Sequence, residues 1–361
     1  MEYKSFSPNT IHTLWVLSEP AILSLLSQAD RNLGKLDAFS DLVPDIDFFI
    51  KMHITKEATV SSKIEGTQTS FQEALARQED LDPERRDDWL EVHAYIDAMN
   101  QAMEEMKSLP ISSRLIRNTH AVLLKGVRGE KKLPGEFRTS QNWIGPSLRH
   151  AIFVPPVPGE INELMGDLEK FIHDDELQIP HLIKIAIVHY QFETIHPFLD
   201  GNGRIGRLLI TLYLLDKGLL KYPTLYLSDF FERNRRDYYD NLMRVRDKND
   251  LGRWISFFLQ GVIETTKSGI LTFQEIIRLR EKYEFHEILK LGKKQKEAKK
   301  LLTELYRQPI IDVPYVEKAL GVHNSTANRL IRDFVGLGIL EELTGYKRNR
   351  VFAFREYVDL F

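Results

Sequence analysis

The run HLIKIAIVHYQFETI, residues 181 to 195, carries apolar residues at helical spacing and passes without a spacer into HPFLDGNGRIGR, residues 196 to 207. A helix that apolar belongs in an interior. Yet within twelve positions it gives way to one His, one Asp, one Asn, two Arg and three Gly. Either the chain turns a corner there, or it holds something highly charged.

Gly201 and Gly203 around Asn202 free the backbone to take positive φ and to point successive N–H groups at one spot. A helix restarting near Arg204 aims its unpaired N–H groups and positive dipole end at the same spot. Arg204 and Arg207, three apart, fall on one face, where each can grip a phosphate oxygen. Two guanidinium groups beside an amide nest suit a polyphosphate. Asp200 would repel that ligand unless a hard cation such as Mg²⁺ lies between them. His196 is the side chain of the loop whose charge changes near neutral pH, which makes it a natural general base for a hydroxyl nucleophile. Taken singly, a Gly-Asn-Gly is usually a plain turn and an Arg pair a solvated face; the signal is their combination. His189 matches no usual metal-ligand spacing and reads as a core histidine hydrogen-bonded inside the helices.

At 361 residues, 43% hydrophobic and 28% charged, the chain suits a folded globular protein of two or three domains. Segments such as VHAYIDAMNQAMEEM and GRWISFFLQGVIE predict a mainly α fold up to about residue 290. Residues 134 to 158 interrupt it: the Gly145-Pro146 turn between QNWI and AIFV predicts a small hairpin with an exposed edge. Residues 267 to 291 read as one linking helix. Beyond it come KKQKEAKKLLTELYRQ, the short helix VPYVEKALGV, and NSTANRLIRDFVGLG with Asn324 or Ser325 as N-cap and Ala327, Leu330, Ile331 and Phe334 on one face. The strand-like runs ILEEL and RVFAF complete a winged helix-turn-helix.

From Lys290 onward 14 Lys plus Arg face 9 Asp plus Glu, so this module carries about +5 and the rest about -8. The absence of cysteine excludes disulfides, thiolate metal sites and a Cys nucleophile. Glu19 and Pro20 interrupt the N-terminal apolar stretch, so neither a signal peptide nor a membrane span is expected, and the cytoplasm is the expected location.

HPFLDGNGRIGR resembles the full signature of the Fic family at every defined position: His, any residue, Phe, any residue, Asp or Glu, Gly-Asn-Gly-Arg, two residues, Arg. PGEFR, NWIG and HYQFETIHPF are similar to Fic cores as well, so the resemblance covers roughly residues 90 to 265. It implies a Fic-type helical bundle with a β-hairpin flap at residues 91 to 265. That core would lie between an N-terminal helical region at 1 to 90 and a linking helix at 266 to 291, with the winged helix at 292 to 361. The implied activity is protein adenylylation, the transfer of AMP from ATP to a Tyr, Thr or Ser hydroxyl of a target or of the chain itself.

Carried over by motif, His196 would be the base and Asp200 the Mg²⁺ ligand. Gly201, Asn202, Gly203 and Arg204 would hold phosphates, Arg207 the γ-phosphate, and Phe198 would anchor the loop. In YLSDFFERNRRDYYDNLM, Asn234, Tyr238 and Tyr239 become adenosine candidates. The hairpin of residues 139 to 154 would align an extended target segment by strand addition.

One segment far away in sequence acquires a second meaning. In SSKIEGTQTSFQEAL, Gly66 reads as the residue after a helix end, and Ser70 with Glu73 as a capping box. Ser61, three residues, Glu65 and Gly66 also resemble the family's inhibitory motif, which implies that Glu65 pairs with Arg207 where the γ-phosphate should lie. In some similar proteins that Glu also helps to remove AMP.

Two alternatives stay open. One is a nucleotide-sensing DNA-binding regulator that uses Asn328, Arg329 and Arg332 on the third helix and Lys347, Arg348 and Arg350 in the wing. The other is a Fic-type transferase of another phosphate group, against which the kinase-type Doc variants carry Lys in place of Gly203. Expected partners are a target protein at the flap, a second copy through the helical core, and DNA or protein at the winged helix. No membrane partner is expected.

Overall fold

The computed structural model describes residues 4–9, 11, 19–345 and 349–361. Pro20, at a first helical position where its missing N–H costs nothing, opens α1 (Pro20–Ser40). α2 (Ile46–Ile64) closes in a Schellman turn. Thr67 N–H donates to the Ser62 carbonyl (3.2 Å) and Gly66 N–H to the Lys63 carbonyl (3.0 Å), with Gly66 at φ 109°. The capping box is formed as expected: Ser70 and Glu73 exchange bonds of 2.7 and 3.2 Å at the start of α3 (Phe71–Leu75). α4 (Arg86–Glu105) and α5 (Ser113–Leu123) follow.

The central layer is α6 (Ile161–His173), α7 (His181–Ile195) and α8 (Asn202–Asp216). α7 is buried at every position after His181, as an all-round apolar helix must be. α9 (Ser228–Arg233) and α10 (Arg235–Lys248) lead into α11 (Leu251–Lys282), along which α1 lies. Among the described residues no helix is long and apolar enough to cross a membrane.

Two expectations change here. The linking helix is not a separate element, because α11 runs without a break from the core to Lys282, burying Thr266, Phe273, Ile276 and Leu279 on the way. Gly261 and Gly269 lie inside α11 without breaking it, and the first left-handed residue beyond it is Gly292 (φ 56°), which kinks the run of turns that follows. The hairpin shrinks to one bridge, Ile144 with Phe153, closed by N–H to carbonyl bonds of 2.9 and 2.8 Å at Ile144. Pro146, Pro155 and Pro156 remove the donors that a longer ladder would need.

The C-terminal module contains α12 (Gln295–Arg307), β1 (Ile310–Asp312), α13 (Val313–Leu320), α14 (Asn324–Gly336), β2 (Glu341–Glu342), β3 (Val351–Ala353) and α15 (Arg355–Val358). Its antiparallel sheet has the order β1-β3-β2, with Ile311 opposite Phe352 and Glu341 opposite Ala353. β1 is too short to announce itself in the sequence. α14 starts one residue early, with His323 as N-cap and no side-chain cap bond; the Asn324 amide oxygen instead accepts from Asn328 (2.9 Å). Ala327, Leu330, Ile331 and Phe334 are buried together as the spacing requires. Lys347 and Arg348 lie outside the described residues.

This module seats on the N-terminal half of α2. Phe49 contacts the rings of Tyr306 and Tyr357 (centroids 5.9 and 5.8 Å), and His53 those of Phe273 and Phe361 (5.3 and 5.0 Å). Arg280 donates to the Pro44 carbonyl (2.5 Å) and pairs with Asp45 (3.2 Å). Phe49 is fully buried, so Phe49→Ala is expected to cost about 3–5 kcal/mol, read as a fall in the urea midpoint.

Candidate active site

The loop between α7 and α8 begins in an unusual backbone. His196 ends α7 with φ 51° and ψ 58°, a left-handed conformation uncommon outside Gly and Asn. Its N–H donates to the Phe192 carbonyl (2.9 Å), and its carbonyl accepts from Arg138 Nε (2.9 Å). Arg138, 2% exposed, also donates to the Pro156 carbonyl (2.5 Å), and its backbone N–H to the Pro197 carbonyl (2.9 Å). One guanidinium thus ties the flap to the loop. Nothing local in PGEFR marks Arg138 for that part.

Gly201 takes φ 77° and α8 begins directly after it, two residues earlier than expected. Asn202 does not face a ligand with its side chain. Its amide oxygen accepts from Phe198 N–H (2.8 Å) and its amide nitrogen donates to the Phe198 carbonyl (2.9 Å), a staple across the loop that leaves only its backbone N–H for a phosphate.

Phe198 lies flat against His120 (3.7 Å, 8°). His120 Nδ1 accepts from Gly135 N–H (2.9 Å), so Nε2 carries the proton and donates to the Asp200 carbonyl (3.0 Å). Nothing in SRLIRNTHAVLL marks His120 as part of the site.

Three elements meet on Arg207, which is 3% exposed. Its Nε donates to Ser61 Oγ (2.9 Å), and Nη2 donates to the Ser61 carbonyl (2.9 Å) and to Glu65 Oε1 (2.7 Å). Ser61 and Glu65 sit one turn apart at the end of α2, so both reach the same guanidinium. A Cβ on Gly203 would stand 2.2 Å from Glu65 Oε1, which puts the carboxylate directly over the first turn of α8. Burial alone would raise the Glu65 pKa, and the Arg207 charge outweighs it, so the carboxyl is held below its usual range. Burial would lower the Arg207 pKa, and Glu65 overrides that upward.

Arg204 is buried between Glu91 (3.4 Å) and Asp200 (3.5 Å), and Glu91 also binds Arg128 (2.5 Å). The His196 imidazole is pushed down to about 4, first by burial and then by the Arg246 charge, so it is neutral at pH 7 and able to accept a proton. Glu193, buried one turn before it, has an oxygen with no hydrogen-bond partner and is pushed up to about 7 by burial.

The adenosine candidates divide. Tyr238 is interior, donating to His189 Nε2 (2.9 Å) while His189 Nδ1 donates to the Gly206 carbonyl (2.9 Å). It packs the core and is removed from the ligand face, and His189 is the core histidine expected. Asn234 joins α9 to α10 and bonds the Phe230 carbonyl (2.9 Å). Tyr239 is 40% exposed; burial raises its pKa first, and the Glu65 charge raises it further. Arg235 donates to the Ile64 carbonyl (2.7 Å), pinning α10 to the end of α2.

Asp200 is the one carboxylate facing out of the loop. Its Oδ1 accepts from Gly201 N–H (2.6 Å), and the side chain is 43% exposed. Among the described residues no group of three or more His, Cys, Asp or Glu could cage a metal. A single carboxylate fits Mg²⁺ when phosphate oxygens and water complete the octahedron.

A buried helix pair, a glycine-rich turn and two interior arginines make up the core of a mainly helical fold. The chain belongs to the Fic/DOC family: residues 23–104 match the description "Fic/DOC family N-terminal" and residues 110–214 match "Fic/DOC family". It is 36% identical to the protein adenylyltransferase Fic of Aedes aegypti and 33% to that of Culex quinquefasciatus. Each match runs over 124 residues, 34% of this chain and 22% of the mosquito protein, so about a fifth of those relatives' length is spanned. A Fic family protein from Desulfovibrio desulfuricans shares the fold over 94% of this chain and 97% of that one (TM-score 0.60, 20% identity). A Fic domain containing signaling protein from Bacteroides thetaiotaomicron does so over 71% and 97% (TM-score 0.53, 19% identity).

Four buried histidines set the acid limit of the fold. His53 and His189 are pushed down to about 3 and His120 and His196 to about 4, in each case chiefly by burial. Between their ordinary value of 6.5 and about 4 the unfolded chain binds protons that the folded chain refuses, so stability falls as pH drops through that window. Three carboxyls run the other way and lose stability as pH rises: Glu193, pushed up to about 7, with Glu57 and Asp30, also raised by burial. His93 and His181 are held down like the other four histidines, so the histidines outnumber them. The urea midpoint is therefore expected to be lower at pH 5 than at pH 7.5; an equal midpoint would show that these histidines titrate normally.

Proposed function

We propose that the chain is a protein adenylyltransferase held at rest by Glu65. The observation that carries this reading is the Glu65 carboxylate lying over Gly203 with its oxygen 2.7 Å from Arg207. The first turn of an α-helix flanked by buried arginines is a place for an anion, and here the chain's own carboxylate fills it.

In the reaction, a target hydroxyl approaches His196, and the neutral imidazole takes its proton. The freed oxygen bonds to the α-phosphorus of ATP while the bond from that phosphorus to the bridging oxygen breaks, releasing diphosphate and leaving AMP on the target. Asp200 would hold Mg²⁺, which supplies charge neutralisation between neighbouring phosphates. The Gly201 to Gly203 backbone and Arg204 would hold phosphate oxygens, and Arg207 the γ-phosphate once Glu65 has left. With Glu65 in place, ATP binds poorly or with its α-phosphorus out of line. The flap offers the half-exposed Trp143 and the exposed Ile152 to an extended target segment.

The winged helix supports a second partner. Arg329 and Arg332 are exposed on α14 and make no ion pair among the described residues, which suits contact with DNA phosphates. Binding to duplex DNA that weakens steeply with salt is the expected result; no binding at low salt would make the module a protein dock.

Label from the α-phosphate of ATP should appear on protein, and His196→Ala should reduce it by roughly 10²-fold or more. Glu65→Gly should raise labelling and tighten ATP by about tenfold, the worth of one charge-assisted bond. Labelling that survives His196→Ala would overturn the assignment.

A further inference from the structure

One edge of the flap is already occupied by the chain itself. Phe6 N–H donates to the Val154 carbonyl (2.9 Å), and the Phe6 ring meets that of Phe153 (centroids 5.7 Å). The segment then leaves the flap and crosses the core: Gln191 Nε2 on α7 donates to the Asn9 carbonyl (3.2 Å), and Ile11 N–H to Asp167 Oδ2 on α6 (3.0 Å). We propose that residues 4–9 are a resident strand on the flap, which a target displaces with an extended segment carrying an aromatic or apolar residue in the place of Phe6. That the flap receives a target rests on the reading above; that its edge accepts an extended segment does not.

The two arms of the flap differ in what they offer. The first arm and the residues leading into it are committed to the catalytic loop, because Arg138 N–H donates to the Pro197 carbonyl (2.9 Å) and Asn142 Nδ2 to the Phe198 carbonyl (3.0 Å). The second arm turns Phe153 toward the first, where its carbonyl accepts from Ile144 N–H (2.9 Å). Successive residues of a strand present their backbone groups to opposite edges, so Val154, next along, presents its carbonyl outward. An outward carbonyl is what an added strand needs, and Phe6 supplies the donor.

Phe153 ties this edge to the surroundings of the general base. Arg246 lies over its ring at 3.8 Å and donates to the Glu193 carbonyl (3.1 Å) and to Thr194 Oγ1 (3.2 Å), in the last turn of α7 before His196. A strand on Val154 is therefore separated from that turn by one ring and one guanidinium. The same ring sets the preference at the position of Phe6. Tilted aromatic pairs gain beyond the area they bury, whereas a charged side chain there would lose its water against a ring that is itself 6% exposed.

The resident strand is held lightly, and the sequence says why. Pro8, two residues after Phe6, stands at the next position whose N–H would face the same edge, and proline has none. The ladder therefore cannot extend past Phe6 in that direction. Ser7 between them is exposed, and Phe6 itself is only half-buried. A target segment without that proline offers a further donor to the same edge, which offsets the effective concentration that the tether gives the resident strand.

The test uses the full chain and needs no nucleotide. In hydrogen exchange of the wild type, corrected for intrinsic rates, the Phe6 amide is expected to be slower than the Ser7 amide by about tenfold; equal rates would overturn the resident strand. The probe for docking is the acetylated peptide of residues 4–9 carrying Pro8→Val, followed by ligand-observed NMR. It should bind the Phe6→Pro protein saturably, and bind the wild type, whose own strand covers the edge, about tenfold more weakly. Methylation of the peptide nitrogen at its Phe should also weaken it about tenfold, since the donor is lost. Equal binding by the two proteins, indifference to the methyl group, or no saturable binding by Phe6→Pro would overturn the edge as a docking site. None of these readouts involves turnover, so their failure and a failure of adenylyl transfer are separately visible.

Discussion

A guanidinium buried to the extent of Arg207 must be paired, because an isolated charge in a protein interior is too costly to keep. Everything around the site answers that constraint. Ser61 supplies two oxygens and Glu65 a third, so the end of α2 is drawn onto the first turns of α8. On the proposed reading, the same pairing also occupies the place where a phosphate would lie, so stability of the resting chain and readiness to bind nucleotide would be opposed at one atom group.

The loop itself is fixed independently of that contest. Arg138 holds the His196 carbonyl, Asn202 holds both backbone groups of Phe198, and His120 stacks on Phe198 while donating to the Asp200 carbonyl. These partners come from different helices and from the flap, and none of them is Glu65, so the left-handed corner at His196 is held without the carboxylate over Gly203. A preorganised base and anion nest cost nothing to assemble when a ligand arrives.

α2 is the element that joins the parts. Its first half is clasped by the aromatic rings of the winged helix and by Arg280, and its last turn by Arg207. One helix therefore touches both the C-terminal module, at Phe49, and Arg207, at Glu65. The continuous α11 strengthens the connection, because it runs unbroken out of the core to Lys282 where a separate linking helix was expected.

Much of this was legible in the sequence. The apolar α7, the glycine turn, the Arg204 and Arg207 pair, the Schellman end at Gly66 and the Ser70 capping box are local patterns, and local backbone physics forces them. The helices of the winged module were readable from their apolar faces for the same reason. What the sequence left undecided depends on partners far apart in the chain. Tyr238 and Asn202 looked like ligand-facing residues until the packing turned one toward His189 and the other onto Phe198. His120, Arg138, Glu91 and Glu193 gave no local signal, since an interior polar group acquires its role only from the groups that surround it. The Glu65 to Arg207 contact spans 142 residues: by itself the motif resemblance only suggested that pairing, and burial of the guanidinium in the folded chain is what makes it obligatory.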